Sequence, residues 1–221
     1  MKILDRNFDQ LKVQKSFKNV ILFYDFWSWL TESKAAKKVL ELAEIKDKQT
    51  ILEVACGTGI VFEKIARENP NGINIGIDLS PDMLSKAKHR LQKLNTHNFE
   101  LKEGNVLQLD FKDNSFDILI NNFMVDLMPE ETFDKIASEF YRILKPGGIA
   151  VISVFSFGEK RINKFWYWVS KNMPALLTGC RPVSFKKNLM HAGFSIETDL
   201  QLSQNTFPSE VLKARKVVIL N

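Results

Sequence analysis

Between Thr50 and Phe155, short apolar runs alternate with segments of helical periodicity, and this alternation restricts the fold more than any other feature of the chain. Thr50 to Ala55 carries Ile51, Leu52 and Val54, the near-continuous apolar run of a strand buried on both faces. The small-residue turn Ala55-Cys56-Gly57-Thr58-Gly59 ends it. Val61, Phe62, Ile65 and Ala66 then repeat at helical spacing until the breaker Asn69-Pro70-Asn71-Gly72. A strand is expected over Ile73 to Ile77. After it, Ser80 stands where it can cap a helix with Pro81 at its first position, Asp82 in its first turn, and Met83, Leu84, Ala87, Leu91 and Leu94 as its buried stripe. Further strands are expected at Asn98 to Leu101, Phe116 to Asn121 and Ile149 to Phe155. Before the last of these, Pro129-Glu130-Glu131 opens a strong helix and Lys145-Pro146-Gly147-Gly148 closes it. Parallel strands need long right-handed crossovers, so βα units of this length specify a doubly wound α/β sheet with helices on both faces.

The flanks are less regular. Helices are expected near 160–172 and 182–192, then strands near Phe194 to Leu202 and Val211 to Leu220, ending a mostly parallel sheet of about seven strands with an antiparallel hairpin. Residues 1–48 read as a helical cap, with Ser33 capping a segment whose Val39, Leu42 and Ala43 face the body. Residues 49–221 read as the main domain, with 160–192 as an insertion that adds to the cap.

Composition narrows the class. With 45% apolar and 26% charged residues the chain is not a disordered one. No stretch approaches a membrane span, and the N-terminus lacks the build of a signal peptide, so a cytoplasmic protein is expected. Two cysteines and three scattered histidines give no metal-ligand spacing, and no metal is expected. Basic residues outnumber acidic ones by ten to seven in residues 1–49 and ten to four in 159–221, but trail eleven to fifteen in 50–158. The net charge of +5 therefore sits in the flanks, which reads as scattered surface lysine ahead of a nucleic-acid face.

In an open α/β sheet, ligands sit beyond the carboxyl ends of the strands, next to the first βα turn. A dinucleotide fingerprint would need a third glycine, and here Gly57-Thr58-Gly59 is followed by Ile60-Val61-Phe62. Glu53, just behind the loop, repels a pyrophosphate and favours a cationic amine or sulfonium. Asp78 ends the second strand 21 residues after Gly57, where a carboxylate accepts both hydrogen bonds of a ribose diol. The residues describe a site for adenosine plus a cation.

Five motifs in order resemble the class I S-adenosylmethionine-dependent methyltransferases. They are Leu52 to Gly59, Gly76-Ile77-Asp78-Leu79-Ser80 with Met83, Gly104-Asn105-Val106, Phe116-Asp117-Ile118, and Leu144 to Gly148. The likeness covers residues 48–155 and implies a Rossmann-like domain with S-adenosylmethionine as cofactor. It implies that Glu53 and the Gly57-Thr58-Gly59 backbone hold the methionine part, Asp78 the ribose, Leu79 and Met83 the adenine faces, and Asn105 with Val106 the adenine edge. Ala55 and Asn121 join this cofactor set. Ala55 stands where many members have a glycine, and Asn105 where many have an aspartate.

Methyl transfer from a sulfonium is an in-line displacement, so alignment and exclusion of water are the protein's main tasks. The Asn121-Asn122-Phe123-Met124 segment lacks the Pro-Pro-aromatic pattern of enzymes that methylate exocyclic amines in nucleic acids. The tryptophans fall in two clusters, Phe23 to Trp29 and Phe165 to Trp168, suited to walling an apolar substrate or meeting a membrane interface. Tyr24-Asp25 resembles the quinone and phospholipid methyltransferase branch. Tyr24, Trp27, Asn122, Asp126 and Arg181 are the substrate candidates, Arg181 as a cation at the mouth of the site. The expected function is methyl transfer to a small or lipid-like acceptor, with peripheral membrane contact and without nucleic acid. The alternatives are a cofactor-binding protein without turnover, or an RNA-modifying methyltransferase.

Overall fold

The computed structural model describes residues 3–4, 25–94, 98–160, 162–177 and 179–217. Its strands are β1 (Thr50–Val54), β2 (Ile73–Asp78), β3 (Phe99–Glu103), β4 (Phe116–Asn122), β5 (Leu144–Phe155), β6 (Phe194–Gln204) and β7 (Phe207–Lys216). They form one sheet in the order β3-β2-β1-β4-β5-β7-β6. Strands β1 to β5 pair in parallel, and β7 inserts antiparallel between β5 and the edge strand β6. The strand order reverses between β1 and β4, and a crevice opens beyond their carboxyl ends.

The helices are α1 (Ser33–Ala43), α2 (Ile60–Glu68), α3 (Pro81–Leu91), α4 (Phe133–Ile143), α5 (Asn163–Asn172) and α6 (Lys186–His191). A helical stretch over 25–31 leads into α1. Apolar side chains fill both faces of the sheet. Phe133, Ile136 and Phe140 of α4 pack with Phe185 and Leu189 on one side. Val39 and Ala43 of α1 pack with Phe62 and Ile65 of α2 on the other. At the start of α3, Ser80 accepts from the Met83 N–H and Pro81 occupies the first turn, as its sequence pattern predicts.

Three local expectations are corrected. Ser33 is not a cap: Glu32 before it is already helical, and the Ser33 hydroxyl donates to the Trp29 carbonyl at 2.8 Å. Lys145 to Gly148 does not close α4. It is an irregular start to β5, where the β4 partner register shifts between Phe116 and Ile118. A Cβ on Gly148 would stand 2.9 Å from the Lys145 carbonyl and 3.0 Å from that of Asp117, so the chain passes there only as glycine. The end of α4 is instead met by Lys216 on β7, whose ammonium donates to the Tyr141 and Leu144 carbonyls at 2.8 Å. Finally, the last strand is Phe207–Lys216, four residues ahead of its expected start, because β6 runs to Gln204 and the turn is short.

Candidate active site

The turn after β1 is held by its own backbone. Ala55 sits at φ +58°, in the left-handed region that its small side chain tolerates at modest cost. Cys56 N–H donates to the Ile77 carbonyl and Gly59 N–H to the Cys56 carbonyl, both at 2.9 Å. Gly59 lies at φ +80°, and a Cβ there would meet Ala87 at 3.0 Å, so this glycine lets α2 approach α3.

Two carboxyls stand at neighbouring strand tips around this turn. Asp78 Oδ2 accepts from the Gly57 N–H at 2.8 Å and Oδ1 from the Ser80 N–H at 2.9 Å. Burial raises its pKa despite these backbone donors. Glu53 is only 2% exposed. Its Oε1 receives a long 3.5 Å contact from Asn122 Nδ2, and its Oε2 has no hydrogen-bond partner among the described residues. Burial holds the Glu53 carboxyl well above the usual range, with the Asn122 contact opposing and the Asp78 charge adding.

Glu53 opens on a cavity of about 360 Å³, large enough for part of a nucleoside-sized ligand. Ala55, Gly57, Thr58 and Asn122 line it from the sheet side, and Asp25, Ser28, Trp29 and Glu32 from the N-terminal segment. The segment is pinned to the turn by a three-way contact. Asp25 accepts from the Thr58 hydroxyl at 2.6 Å and from Arg90 Nη2 at 2.7 Å, while Arg90 Nε donates to the Thr58 carbonyl at 2.9 Å.

Behind the cavity lies a buried charged group. Arg181 is fully buried; its Nη1 donates to the Asp126 carbonyl at 3.0 Å and its Nη2 to the Met128 carbonyl at 2.6 Å. It is therefore a clamp inside the protein, and the expectation of a cation at the mouth is corrected. Burial pushes the Asp126 carboxyl up to about 7, opposed by the Cys180 thiol and the Arg181 charge. Glu32 is likewise pushed up to about 7 by burial, with the Ser28 hydroxyl opposing and the Asp126 charge adding.

The remaining sequence candidates are spread around this centre. Asn121 is fully buried, its amide donating to the Val54 carbonyl at 2.8 Å, so it ties β4 to β1 without lining the cavity. Asn105 Oδ1 accepts from the Leu107 N–H at 2.9 Å, forming an Asx turn beside the buried Val106. Met83 is buried and Leu79 half-buried on the Asp78 side. Trp27 packs edge-on against Trp166 at 6.4 Å, and its neighbour Trp29 faces the cavity. Tyr24 lies outside the described residues. Sequence reasoning missed Glu32, Ser28 and Arg90. Only Asp25, adjacent to Tyr24, carried a local signal.

Glu53 faces the cavity, whereas Asp78 at the neighbouring strand tip, with Leu79, Met83, Asn105 and Val106, is not among its lining residues. The two acids stand beside the point where the strand order of an open α/β sheet reverses, the place where such folds bind ligands. Residues 51–148 match the methyltransferase domain family model. The demethylmenaquinone methyltransferase of Geobacillus stearothermophilus is 30% identical over 165 residues, covering 71% of this chain and 70% of that protein. That of Listeria welshimeri is 33% identical over 142 residues, covering 62% of this chain and 59% of the relative's length. A SAM-dependent methyltransferase structure from Aquifex aeolicus superposes with a TM-score of 0.64 at 20% identity, covering 96% of this chain and all of that one, which establishes the shared fold. The chain belongs to the class I S-adenosylmethionine-dependent methyltransferases.

Proposed function

We propose that the protein transfers a methyl group from S-adenosylmethionine to a small, lipid-like acceptor of the quinol type. The observation that carries this reading is the Glu53 carboxyl, buried without a full set of partners and facing the same cavity as the loop backbone and Glu32. The likeness to demethylmenaquinone methyltransferases supports the acceptor class. In this reading Glu53 takes the ammonium of the methionine part, and Gly57 to Gly59 cradle its carboxylate end. Asp78 takes the ribose hydroxyls, Leu79 and Met83 flank the adenine, and Asn105 with Val106 meets its edge.

The cofactor, when bound, supplies an electrophilic methyl on a sulfonium. The chain supplies alignment, a cavity and a proton acceptor. Asp25, Thr58 and Arg90 pin the N-terminal segment to the turn beside the cavity. Glu32 lines the cavity with Ser28 and Asn122, and with its carboxyl raised to about 7 it is suited to take the proton that a quinol ring carbon loses once the carbon–methyl bond has formed and the methyl–sulfur bond has broken. Asp126 acts on Glu32 through its charge, with Arg181 holding the segment that carries it.

Calorimetric titration with S-adenosylhomocysteine, followed by incubation of labelled donor with a demethylated naphthoquinol, tests the proposal. Binding and a labelled quinol product are expected. Binding without product against a panel of quinols would leave a cofactor-binding protein. NAD binding with no S-adenosylhomocysteine binding would overturn the site assignment altogether.

A further inference from the structure

Exposed aromatic and aliphatic side chains collect on one part of the surface. Phe26 and Trp29 of the 25–31 stretch are 60% and 64% exposed, and Phe165 and Trp168 of α5 are 51% and 53% exposed. Ile162, Met173 and Leu176, which bracket α5, are also about half exposed. The two aromatic pairs are joined: Trp27 meets Trp166 edge-on, Phe165 packs on Trp166 at 5.6 Å, and Phe165 stacks on Trp168 at 6.3 Å. Soluble surfaces carry single exposed apolar residues routinely, but seven on two adjoining elements make a patch.

The patch has a sign. Lys160, Lys164 and Lys171 are exposed on and just before α5, with the exposed Glu159 preceding them. On α5 the outward ridge reads Lys164, Phe165, Trp168 and Lys171, at helical spacing of three and four, with Lys160 exposed just before it. Apolar rings flanked by lysines are the composition of a helix that lies in a lipid interface: the rings enter the headgroup region and the ammoniums meet anionic phosphates. A nucleic-acid surface would use the rings and the charges but not the aliphatic Ile162, Met173 and Leu176, which gain only from hydrocarbon.

We propose that this face, formed by residues 25–31 and by α5 with its flanks, docks on an anionic phospholipid bilayer. Trp29 belongs both to the face and to the cavity wall, so docking turns the cavity mouth toward the lipid. A lipid-like acceptor would then enter without crossing water. That benefit rests on the acceptor class proposed above; the membrane contact does not, and it is tested without any acceptor.

The test is co-sedimentation and tryptophan fluorescence of the full chain with phosphatidylcholine vesicles, with and without phosphatidylglycerol. Binding with a blue shift is expected on the anionic vesicles only, weakening as salt rises. Phe165→Ser and Trp168→Ser should each lower partitioning by about tenfold or more, and Lys164→Gln and Lys171→Gln by about fivefold each. All four should bind S-adenosylhomocysteine like the parent, which separates a failed surface from a failed fold or a failed cofactor site. Absence of binding to anionic vesicles, or unchanged binding of the two aromatic variants, overturns the proposal. So does a result in which RNA binds this face and displaces the vesicles, or in which Trp168→Ser dissolves a dimer seen without vesicles.

Discussion

On the side proposed to hold the donor, most groups come from one stretch of chain between Glu53 and Arg90, joined by Asp25, Asn122 and, at the adenine edge, Asn105 with Val106. The acceptor side gathers Glu32, Asp126 and Arg181 from three segments that meet only in the folded protein. The chemistry differs accordingly. The donor side works with backbone N–H groups, left-handed turn positions and a half-exposed ion pair between Asp25 and Arg90. Both sides hold carboxyls raised by burial, Glu53 and Asp78 on one and Glu32 and Asp126 on the other, but on the second these groups come from segments distant in sequence. A binding turn can be specified locally, whereas a group that must change protonation near neutrality needs an interior.

That contrast is most exposed to test at Arg181. Arg181→Ala removes a buried cation and leaves the Asp126 and Met128 carbonyls without these donors, so a loss of about 3–5 kcal/mol in urea unfolding is expected. Stability within experimental error of the parent, together with a raised KM, would return Arg181 to the mouth of the site and erase the distinction.

Glu32 gives the next largest effect, and its sign follows from the raised pKa. The folded protein holds the Glu32 proton up to about 7, against an ordinary value of 4.5. The stability this lends is fully present below pH 4.5 and is lost as pH rises through 7. Glu32→Gln should therefore melt like the parent in acid and gain about 3 kcal/mol over it above neutrality. Its kcat should fall while its affinity for S-adenosylhomocysteine holds. An equal melting difference at every pH would show that the side chain is not a buried acid.

On the donor side, Asp78→Ala should weaken S-adenosylhomocysteine binding by about 1–3 kcal/mol; unchanged affinity in calorimetry would contradict the ribose assignment. The smallest change is expected from Asp25→Asn. With both partners partly exposed, the ion pair to Arg90 should contribute less than about 1 kcal/mol. Its signature is a faster ligand dissociation in stopped flow that converges on the parent rate at high salt. A large, salt-insensitive effect would mean that the N-terminal segment belongs with the buried side of the comparison.

Much of the donor side was readable in advance because its determinants are short-range. Ser80 and Pro81 act on the residues next to them, Gly57 and Gly59 mark the turn by residue type although their partners Asp78 and Ala87 are distant, and Glu53 and Asp78 end strands whose pairing follows from their apolar pattern. Arg90 was not readable: nothing in α3 marks which of its basic residues reaches back to Thr58. The acceptor side was readable only as residue types. Asp126 and Arg181 were both noticed, but their burial and their effect on Glu32 depend on how the segment after β4 packs under the 25–31 stretch.

The sequence alone determined the alternating elements, the small-residue turn after β1 and the capped start of α3, since periodicity and turn chemistry operate within a few residues. Tertiary structure decided that Lys145 to Gly148 would be a strand irregularity, that Lys216 would close α4 from across the sheet, and that Arg181 would point inward. The reason is that burial is a property of contacts between distant segments. Only burial sets the local dielectric that turns an ordinary carboxyl such as Glu32 into a group that exchanges its proton near pH 7.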